Sequence, residues 1–560
     1  MRARWANKLA AVCVAGLLLA ACAETGSDVR SSGASPVQLE FHVGDPFPDQ
    51  AGLALPGVAP ISWHSCADKP APWQCGELAV PLDYHRPLLD TVTLALTRLP
   101  ATEQTRRIGS LVVNPGGPGG TGINLARSIA PSMPVEILSL FDLVGFDPRG
   151  VGQSDPLQCD LGSDPNNGYD PSILRKCIRD NAKMLPQLGT VNVARDLEQI
   201  RQAVGDKQLT YLGYSYGTAL GAVYATLFPG KVRAIVLDGS VNPTAGQANV
   251  KQRSDLPDFY GVQYFDRSRR RFLAECSLAT TCPLGAHAAT ALDTLESSLG
   301  DEAVPATSLP GSDSLTSDIL QQDFFAGYYN SDYWPYLAQG IAEANAGDGS
   351  VLVAIAGKLD GQESAAAKSQ ESFANFAITC ADFADRSGGC NGWPLTAEPM
   401  PALKPVQRQA PILVLGTDGD PATPVEQAKV MAKTLGNAVT VYWAGDGHTA
   451  FLRGSTCIDN IVGEYLVGLA IPQNAMRCPE SDSAHGGRDS ADQLFSMGSQ
   501  RRLDAYVRRA VIDGDSSEHA TCMARFYAGI LTQSQLAHVF LGVPDRTVSL
   551  EIRLQLSTCS

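Results

Sequence analysis

A chain of 560 residues, 44% of them apolar, is too long for one ordinary domain and long enough for a large packed core with insertions or appendages. Its net charge of −15, with no basic stripe and no Walker-type phosphate loop, argues against a nucleic-acid partner.

Arg2, Arg4 and Lys8 precede an apolar run from Leu9 to Ala21 that is too short to span a bilayer comfortably. The run ends in Leu19-Ala20-Ala21-Cys22, which resembles a bacterial lipobox and implies cleavage before Cys22 and lipid on its sulfur. Residues 1–21 therefore read as a lipoprotein signal peptide, the alternative being a plain secretory signal in which Cys22 is incidental. The expected location is outside the cell, anchored by lipid at the outer face of the bacterial membrane. Cleavage removes three positive charges and no negative ones, leaving −18. Residues 22–59, rich in Gly, Ser and Pro, read as a flexible tether.

Twelve cysteines follow Cys22, and an even number in an exported chain favours disulfides. They fall in neighbouring twos, so six sequential bridges are expected: 66–75, 159–177, 276–282, 380–390, 457–478 and 522–559. Zinc is the alternative, but the chain has no C-x-x-C pair and no H-E-x-x-H, so no metal is expected.

The folded part opens near residue 60. Thr91 to Thr97 alternates and reads as a half-exposed strand. Ser110 to Asn114 reads as a buried strand that runs into Pro115-Gly116-Gly117-Pro118-Gly119-Gly120-Thr121-Gly122. That loop is too glycine-rich for a strand and too rigid in its prolines for a linker; its glycines let backbone approach a ligand closely. A phosphate-binding loop is the alternative, but the Lys-Ser/Thr ending and G-x-G-x-x-G spacing are missing. Phe141 to Phe146 is the next strand, and Asp147 and Arg149 after it read as a turn-stabilising pair rather than as catalytic groups.

Val193, Leu197, Ile200 and Val204 recur at helical spacing. Leu209 to Leu220 then reads as strand, tight turn and helix, with Gly213-Tyr214-Ser215-Tyr216-Gly217 at its centre. This is a G-x-S-x-G nucleophile elbow, in which the glycines remove Cβ atoms that would collide at the turn. Pro229 and Gly230 stop the helix, and Ala234 to Asp238 is the next buried strand. Helix, strand, elbow, helix and strand in this order define a doubly wound α/β class, with the α/β-hydrolase fold and a mostly parallel sheet. In that fold the glycine loop supplies one oxyanion N–H and the residue after the nucleophile the other. Gly117 is the first choice, Gly116 the next, and Tyr216 is the partner.

The core, 60–242, is interrupted at 243–405 by a segment rich in aromatics at helical spacing, read as a lid over the cleft, where such insertions choose the substrate. Most of those aromatics are expected to form the lid's own core. The α/β rhythm resumes over 406–478. The strand Pro411 to Gly416 leads to Asp420, fixed by the prolines that follow, and the strand Val439 to Trp443 leads to His448. Ser215, Asp420 and His448 stand in the order of nucleophile, acid and base in α/β hydrolases. Asp418, Asp446 and Asp238 are alternative acids. Residues 479–560 read as a separate appendage, helical over 500–511 and 519–540, serving packing or a partner.

Asn114-Pro-Gly-Gly-Pro-Gly119, Val144-Gly-Phe-Asp-Pro-Arg-Gly150, the elbow, Ala377-Ile-Thr-Cys-Ala-Asp382, Gly416 to Pro424 and Gly447-His448 together resemble secreted actinobacterial serine peptidases of the tripeptidyl-aminopeptidase and prolyl-iminopeptidase type. The overall layout with its lipobox is similar to mycobacterial cell-envelope lipoprotein peptidases. The resemblance spans residues 63–478 and stops at the tail. It implies the triad Ser215, Asp420 and His448, a peptide or protein substrate, and no cofactor. An exopeptidase acting at peptide N-termini must hold an α-ammonium group; the lid acids Asp323, Asp332, Glu343 and Asp382 could do so, with Asp382 the best single candidate, a structural hydrogen bond being the commoner role for a buried aspartate. An esterase or lipase with the same triad, and a non-catalytic envelope lipoprotein, are the rival readings. The oligomeric state is left open.

Overall fold

The computed structural model describes residues 57–159, 171–242, 262–300, 302–309, 311–312, 314–360, 365–382, 398, 400–403, 405, 411–480 and parts of 492–543. The expected signal peptide, Cys22 and nearly all of the tether lie outside them, as do Cys390, Cys559 and the helix expected over 500–511.

Ten strands form one sheet: β1 (His64–Ser65), β2 (Gln74–Pro81), β3 (Thr91–Leu99), β4 (Gly109–Asn114), β5 (Phe141–Phe146), β6 (Leu209–Tyr214), β7 (Val232–Asp238), β8 (Ile412–Gly419), β9 (Ala438–Asp446) and β10 (Met476–Cys478). Their spatial order is β1-β2-β3-β5-β4-β6-β7-β8-β9-β10. The β1–β2, β2–β3 and β3–β5 pairs are antiparallel and every pair from β5–β4 to β9–β10 is parallel. β3 is mostly buried rather than half-exposed, because it lies between β2 and β5.

Parallel strands covered on both faces read as continuous apolar runs, and the alternation is visible once the faces are separated. Val112, Tyr211, Ile235, Leu237, Ile412 and Val414 point to one face. Leu111, Val113, Leu212, Ala234, Val236, Leu413 and Leu415 point to the other. The first face is covered by α4 (Thr190–Ala203), α5 (Gly217–Leu227) and α12 (Val425–Leu435), through Leu197, Ile200, Leu220, Val223 and Met431. The second is covered by α1 (Gly122–Ile129), α2 (Val135–Leu140) and α13 (Thr456–Gly468), through Ala126, Ile137, Ile458, Val462 and Leu466. Each such fully buried aliphatic side chain contributes about 2 kcal/mol.

Asp147 and Arg149 are not a pair. Arg149, with no exposed side-chain surface, makes a two-point contact with Asp196 of α4 at 2.7 and 2.5 Å and donates to the carbonyls of Pro81 and Leu82. Tyr84 completes the buried set by donating to Asp196 at 2.7 Å. Asp147 instead accepts the N–H groups of Ile123 and Gln153. A buried charge is tolerated only when its partners satisfy it, and these partners tie the β2 end to the helix that precedes the elbow.

The insertion between β7 and β8 is two structures rather than one. Helices α6 (Val262–Leu278), α7 (Ala288–Ser298), α8 (Ser317–Tyr329), α9 (Trp334–Asn345) and α10 (Ser350–Asp360) share an apolar core that includes Phe272, Phe324, Trp334, Leu337 and Ile355. Helix α11 (Ala365–Asp382) leaves that core. It packs with Val151, Leu157, Leu185 and Leu188, residues of the loops above the sheet, and with Cys177 of α3 (Pro171–Asp180). The tail is not separate either: Phe495, Leu541 and Val543 belong to the lid core. Its helix α14 (Gln533–Leu541) reaches Glu343 of α9 through Ser534 at 2.8 Å and His538 at 2.9 Å. The continuous helix expected to Phe540 breaks at Thr532, whose hydroxyl accepts the N–H of Gln535 while Gln535 Oε1 accepts the N–H of Thr532, a reciprocal capping box.

Four of the expected disulfides are present: Cys66–Cys75, Cys159–Cys177, Cys276–Cys282 and Cys457–Cys478. Cys380 and Cys522 are also bridged, to partners outside the described residues.

Candidate active site

The site forms at the carboxyl ends of four neighbouring strands, β6 to β9. Ser215 follows β6 in the left-handed region, at φ 54°, a conformation that costs a non-glycine residue about 1–3 kcal/mol. Surrounding bonds hold it there: Ser215 N–H donates to Asp238 O at 2.9 Å, and Thr218 donates to Ser215 O through both its N–H, 2.9 Å, and its hydroxyl, 2.6 Å. The elbow glycines are required sterically. A Cβ on Gly213 would lie 2.4 Å from Gly217 O, and one on Gly217 would lie 2.8 Å from Asn114 Oδ1.

The glycine loop lies directly against this turn. At Gly116, with φ 89°, a Cβ would stand 2.7 Å from Tyr216 N and 2.5 Å from Tyr214 O. Gly116 N–H is already used, donating to Asn114 Oδ1 at 2.9 Å, so Gly116 contributes close approach rather than a donor. The N–H groups of Gly117 and Tyr216 donate no hydrogen bond among the described residues and remain available for an anion.

Asp420 follows β8. Its carboxylate accepts the N–H groups of Ala422 (2.9 Å), Thr423 (2.8 Å) and Thr449 (3.1 Å) and the hydroxyl of Thr423 (2.8 Å). His448 Nδ1 lies 3.0 and 2.9 Å from its two oxygens and 3.2 Å from Thr423 Oγ1. Every other group around the carboxylate donates to it, so Nδ1 is assigned the proton and neutral Nε2 the lone pair. Nε2 is buried and has no partner among the described residues. Ser215, Asp420 and His448 are all buried, Ser215 at 5% exposure. The Asp238–Gly239 turn stands between serine and histidine: Asp238 O holds Ser215, and a Cβ on Gly239 would be 3.2 Å from His448 Cε1. Ser215 and His448 share no hydrogen bond here; such bonds often tighten only when substrate arrives.

The alternative acids are engaged elsewhere. Asp238 accepts the N–H groups of Ala450 (2.9 Å) and Phe451 (2.8 Å), shaping the chain after His448; burial pushes its carboxyl up to about 6 against those donors. Asp418 pairs with Arg477. Asp446 pairs with Arg271 of α6 at 2.8 Å, and burial pushes it up to about 7. Asp382 does not stand on the lid to meet an ammonium group. It is buried at 3% exposure and accepts Thr190 N (2.7 Å), Thr190 Oγ1 (2.5 Å) and Tyr216 Oη (2.9 Å), and burial pushes it up to about 6 against the Thr190 and Tyr216 donors.

Three participants lay outside the sequence reading. Thr423 braces Asp420, and its place three residues after an aspartate is a turn signal that was readable. Tyr329, at the end of α8, accepts the backbone N–H of His448 at 2.8 Å and sets its ring edge-on to the imidazole, centroids 5.1 Å apart. Asn375 holds the glycine loop by donating to Pro118 O at 2.8 Å. Nothing local marks these two, because both contacts cross from inserted helices to the core. Cys66, Asp68 and Cys75 bring three ligand-type atoms within 4.8 Å, but both sulfurs are spent in the Cys66–Cys75 bridge.

An elbow serine, an aspartate-oriented histidine and two free N–H groups on a doubly wound sheet define a serine hydrolase. Residues 109–455 match the alpha/beta hydrolase fold family, and the chain belongs to it. It is 33% identical over 495 residues to the serine protease Hip1 of Mycobacterium tuberculosis, covering 77% of this chain and 93% of that one. It is 31% identical over 488 residues to carboxylesterase B of the same species, covering 76% and 91%. It is 41% identical over 222 residues to the tripeptidyl aminopeptidase of Streptomyces lividans, covering 35% and 41%.

Proposed function

We propose that this serine peptidase is an exported exopeptidase that releases short peptides from peptide N-termini through an acyl-enzyme. Asp420 holds His448 with its proton on Nδ1, and Nε2 takes the proton of Ser215 Oγ as the oxygen attacks the peptide carbonyl. The tetrahedral oxyanion is received by the N–H groups of Gly117 and Tyr216, each worth roughly 3 kcal/mol in the barrier. His448 then protonates the leaving amine, and water, deprotonated by the same nitrogen, releases the acyl group. The observation that carries this reading is the Asp420–His448 pair, with Nε2 unpaired beside the elbow.

The exopeptidase step rests on the lid. Its helix α8 lies on the backbone of His448, so the cleft is bounded next to the base. The kinship with a tripeptidyl aminopeptidase supports the same reading. One peptide compared with and without an acetylated N-terminus tests it: acetylation is expected to remove most of the activity, and equal cleavage, or cuts deep inside a long chain, contradicts it. The kinship with a carboxylesterase favours a second reading, ester hydrolysis by the same three residues, which a paired ester and peptide library separates. The lipobox-like Leu19-Ala20-Ala21-Cys22 supports a membrane anchor on Cys22. Incorporation of a labelled fatty acid into the wild-type protein and not into Cys22→Ala is the expected result, and an unlabelled wild-type protein would count against the anchor.

A further inference from the structure

Helix α11 touches both backbone segments that carry the oxyanion donors. Midway along it, Asn375 Nδ2 donates to Pro118 O at 2.8 Å, and a Cβ on Gly119 would stand 3.0 Å from Asn375 N and 3.1 Å from Glu371 O. The helix backbone therefore rests on the loop that presents Gly117. At its C-terminal end Asp382 accepts Tyr216 Oη at 2.9 Å and both donors of Thr190, while the Thr190 and Tyr216 hydroxyls also touch each other. Asn375 and Asp382 are seven residues apart, about two turns, so they lie on one face of the helix. Phe373, Ala374 and Ala377 anchor that helix in the apolar cluster above the sheet, with Tyr216 packed against its edge.

A buried carboxylate is costly unless its oxygens are satisfied. Here one of the satisfying groups is the side chain of the residue whose N–H is offered to the oxyanion. We propose that Asp382 is a positioning residue of the oxyanion hole, fixing Tyr216 through its phenol while Asn375, on the same helix, fixes the loop of Gly117. The proposal rests on the reading of Gly117 and Tyr216 as the oxyanion donors. Such donors act at 2.7–3.1 Å from the developing charge, so a small rotation of the Tyr216 peptide weakens the transition state more than the bound substrate. It also gives the second half of the insertion a function separate from the lid.

The test uses the full chain and the variants Tyr216→Phe, Asp382→Asn and Asn375→Ala, each checked for folding by its thermal melt. Tyr216→Phe keeps the amide and removes only the phenol oxygen, so it serves if the buried aspartate variant fails to fold. The readouts are kcat, KM, and affinity for a peptidyl trifluoromethyl ketone against that for the corresponding peptidyl alcohol. Attack of Ser215 on the ketone leaves an oxyanion in the hole, whereas the alcohol cannot form one. The expected result is a fall in kcat of about tenfold to a hundredfold with KM within about twofold, a matching loss of ketone affinity, and unchanged alcohol affinity. The effects of Tyr216→Phe and Asp382→Asn on kcat should add less than fully, because both act on the Tyr216–Asp382 contact. Folded variants with the wild-type kcat and ketone affinity overturn the proposal, as does equal weakening of ketone and alcohol. If the wild-type protein forms no ketone adduct on Ser215, the oxyanion reading itself falls; an adduct with unaffected variants removes only the role of Asp382.

Discussion

The β4–β9 core and the α6–α10 lid are built on different principles. In the core, adjacent parallel strands bring their carboxyl ends side by side, so Ser215, Asp238, Asp420 and His448 meet although they are spread over more than two hundred residues of chain. In the lid, helices pack on one another around Phe272, Trp334 and Leu337, and the contact with the chemistry passes through particular residues. Tyr329 touches the histidine, and Arg271 holds Asp446 two residues before it. The core thus carries the candidate triad, and the inserted helices touch His448 and its flank. Changes in the two regions should separate cleanly.

The largest expected effect lies in the core. Asp420→Asn should leave the fold intact and lower kcat by about ten-thousand-fold, because the amide no longer enforces the Nδ1–H tautomer. Steady-state kinetics and a thermal melt check this, and a loss of under about tenfold would remove Asp420 as the acid. Next comes the Cys457–Cys478 bridge, which ties α13 to the edge strand β10. Replacing both cysteines by alanine should cost about 3 kcal/mol in urea unfolding while leaving kcat within about twofold, since neither residue lies at the site.

The third effect marks the boundary between the regions. Arg271 from α6 stabilises the Asp446 carboxylate, but burial outweighs it and pushes the group from its ordinary 3.8 to about 7, with Glu480, Glu275 and Arg267 also facing it. Between those values the folded chain keeps a proton that the unfolded chain releases. The stability this proton gives is therefore full in acid and is lost as pH rises through about 7. Relative to Asp446→Asn, the wild-type protein should lose about 2–3 kcal/mol between about pH 5 and about pH 8, read from urea midpoints at the two pH values. Parallel pH slopes in the two proteins would contradict the raised Asp446 carboxyl. The smallest effect is Tyr329→Ala, which keeps the carbonyl that accepts His448 N–H and removes the ring. Loss of the edge-on contact with His448 is worth about 1 kcal/mol, so kcat should fall about fivefold, while loss of the contact with Phe325 lowers the melt. A fall as deep as that of Asp420→Asn would place the lid inside the chemistry rather than around it.

The same contrast governs what could be read from the sequence. The elbow, the glycine loop and the order Ser215, Asp420, His448 were legible because their demands are local: a strained turn needs glycines beside it, and buried parallel strands show as apolar runs. The ends of β8 and β9 were not, because the ladder continues through polar residues, with Thr417 opposite Trp443 and Gly419 opposite Asp446. Nor was the partner of Arg149, which lies on α4 and was displaced in the reading by the nearer Asp147. The insertion read as one lid because helical spacing does not say which body a helix packs against, and α11 joins the core-side cluster. Asp382 reads from the sequence as a candidate ammonium anchor, but its burial and its partners, Thr190 and Tyr216, are set by that packing.

The central claim is that His448, oriented by Asp420, activates Ser215. The most direct measurement is the rate and site of reaction with a fluorophosphonate, mapped by peptide mass, in the wild-type protein and in Ser215→Ala and His448→Ala. Stoichiometric labelling at Ser215, absent in the first variant and slowed at least about a thousandfold in the second, is the predicted result. Labelling at another residue, or at an undiminished rate without His448, would contradict it.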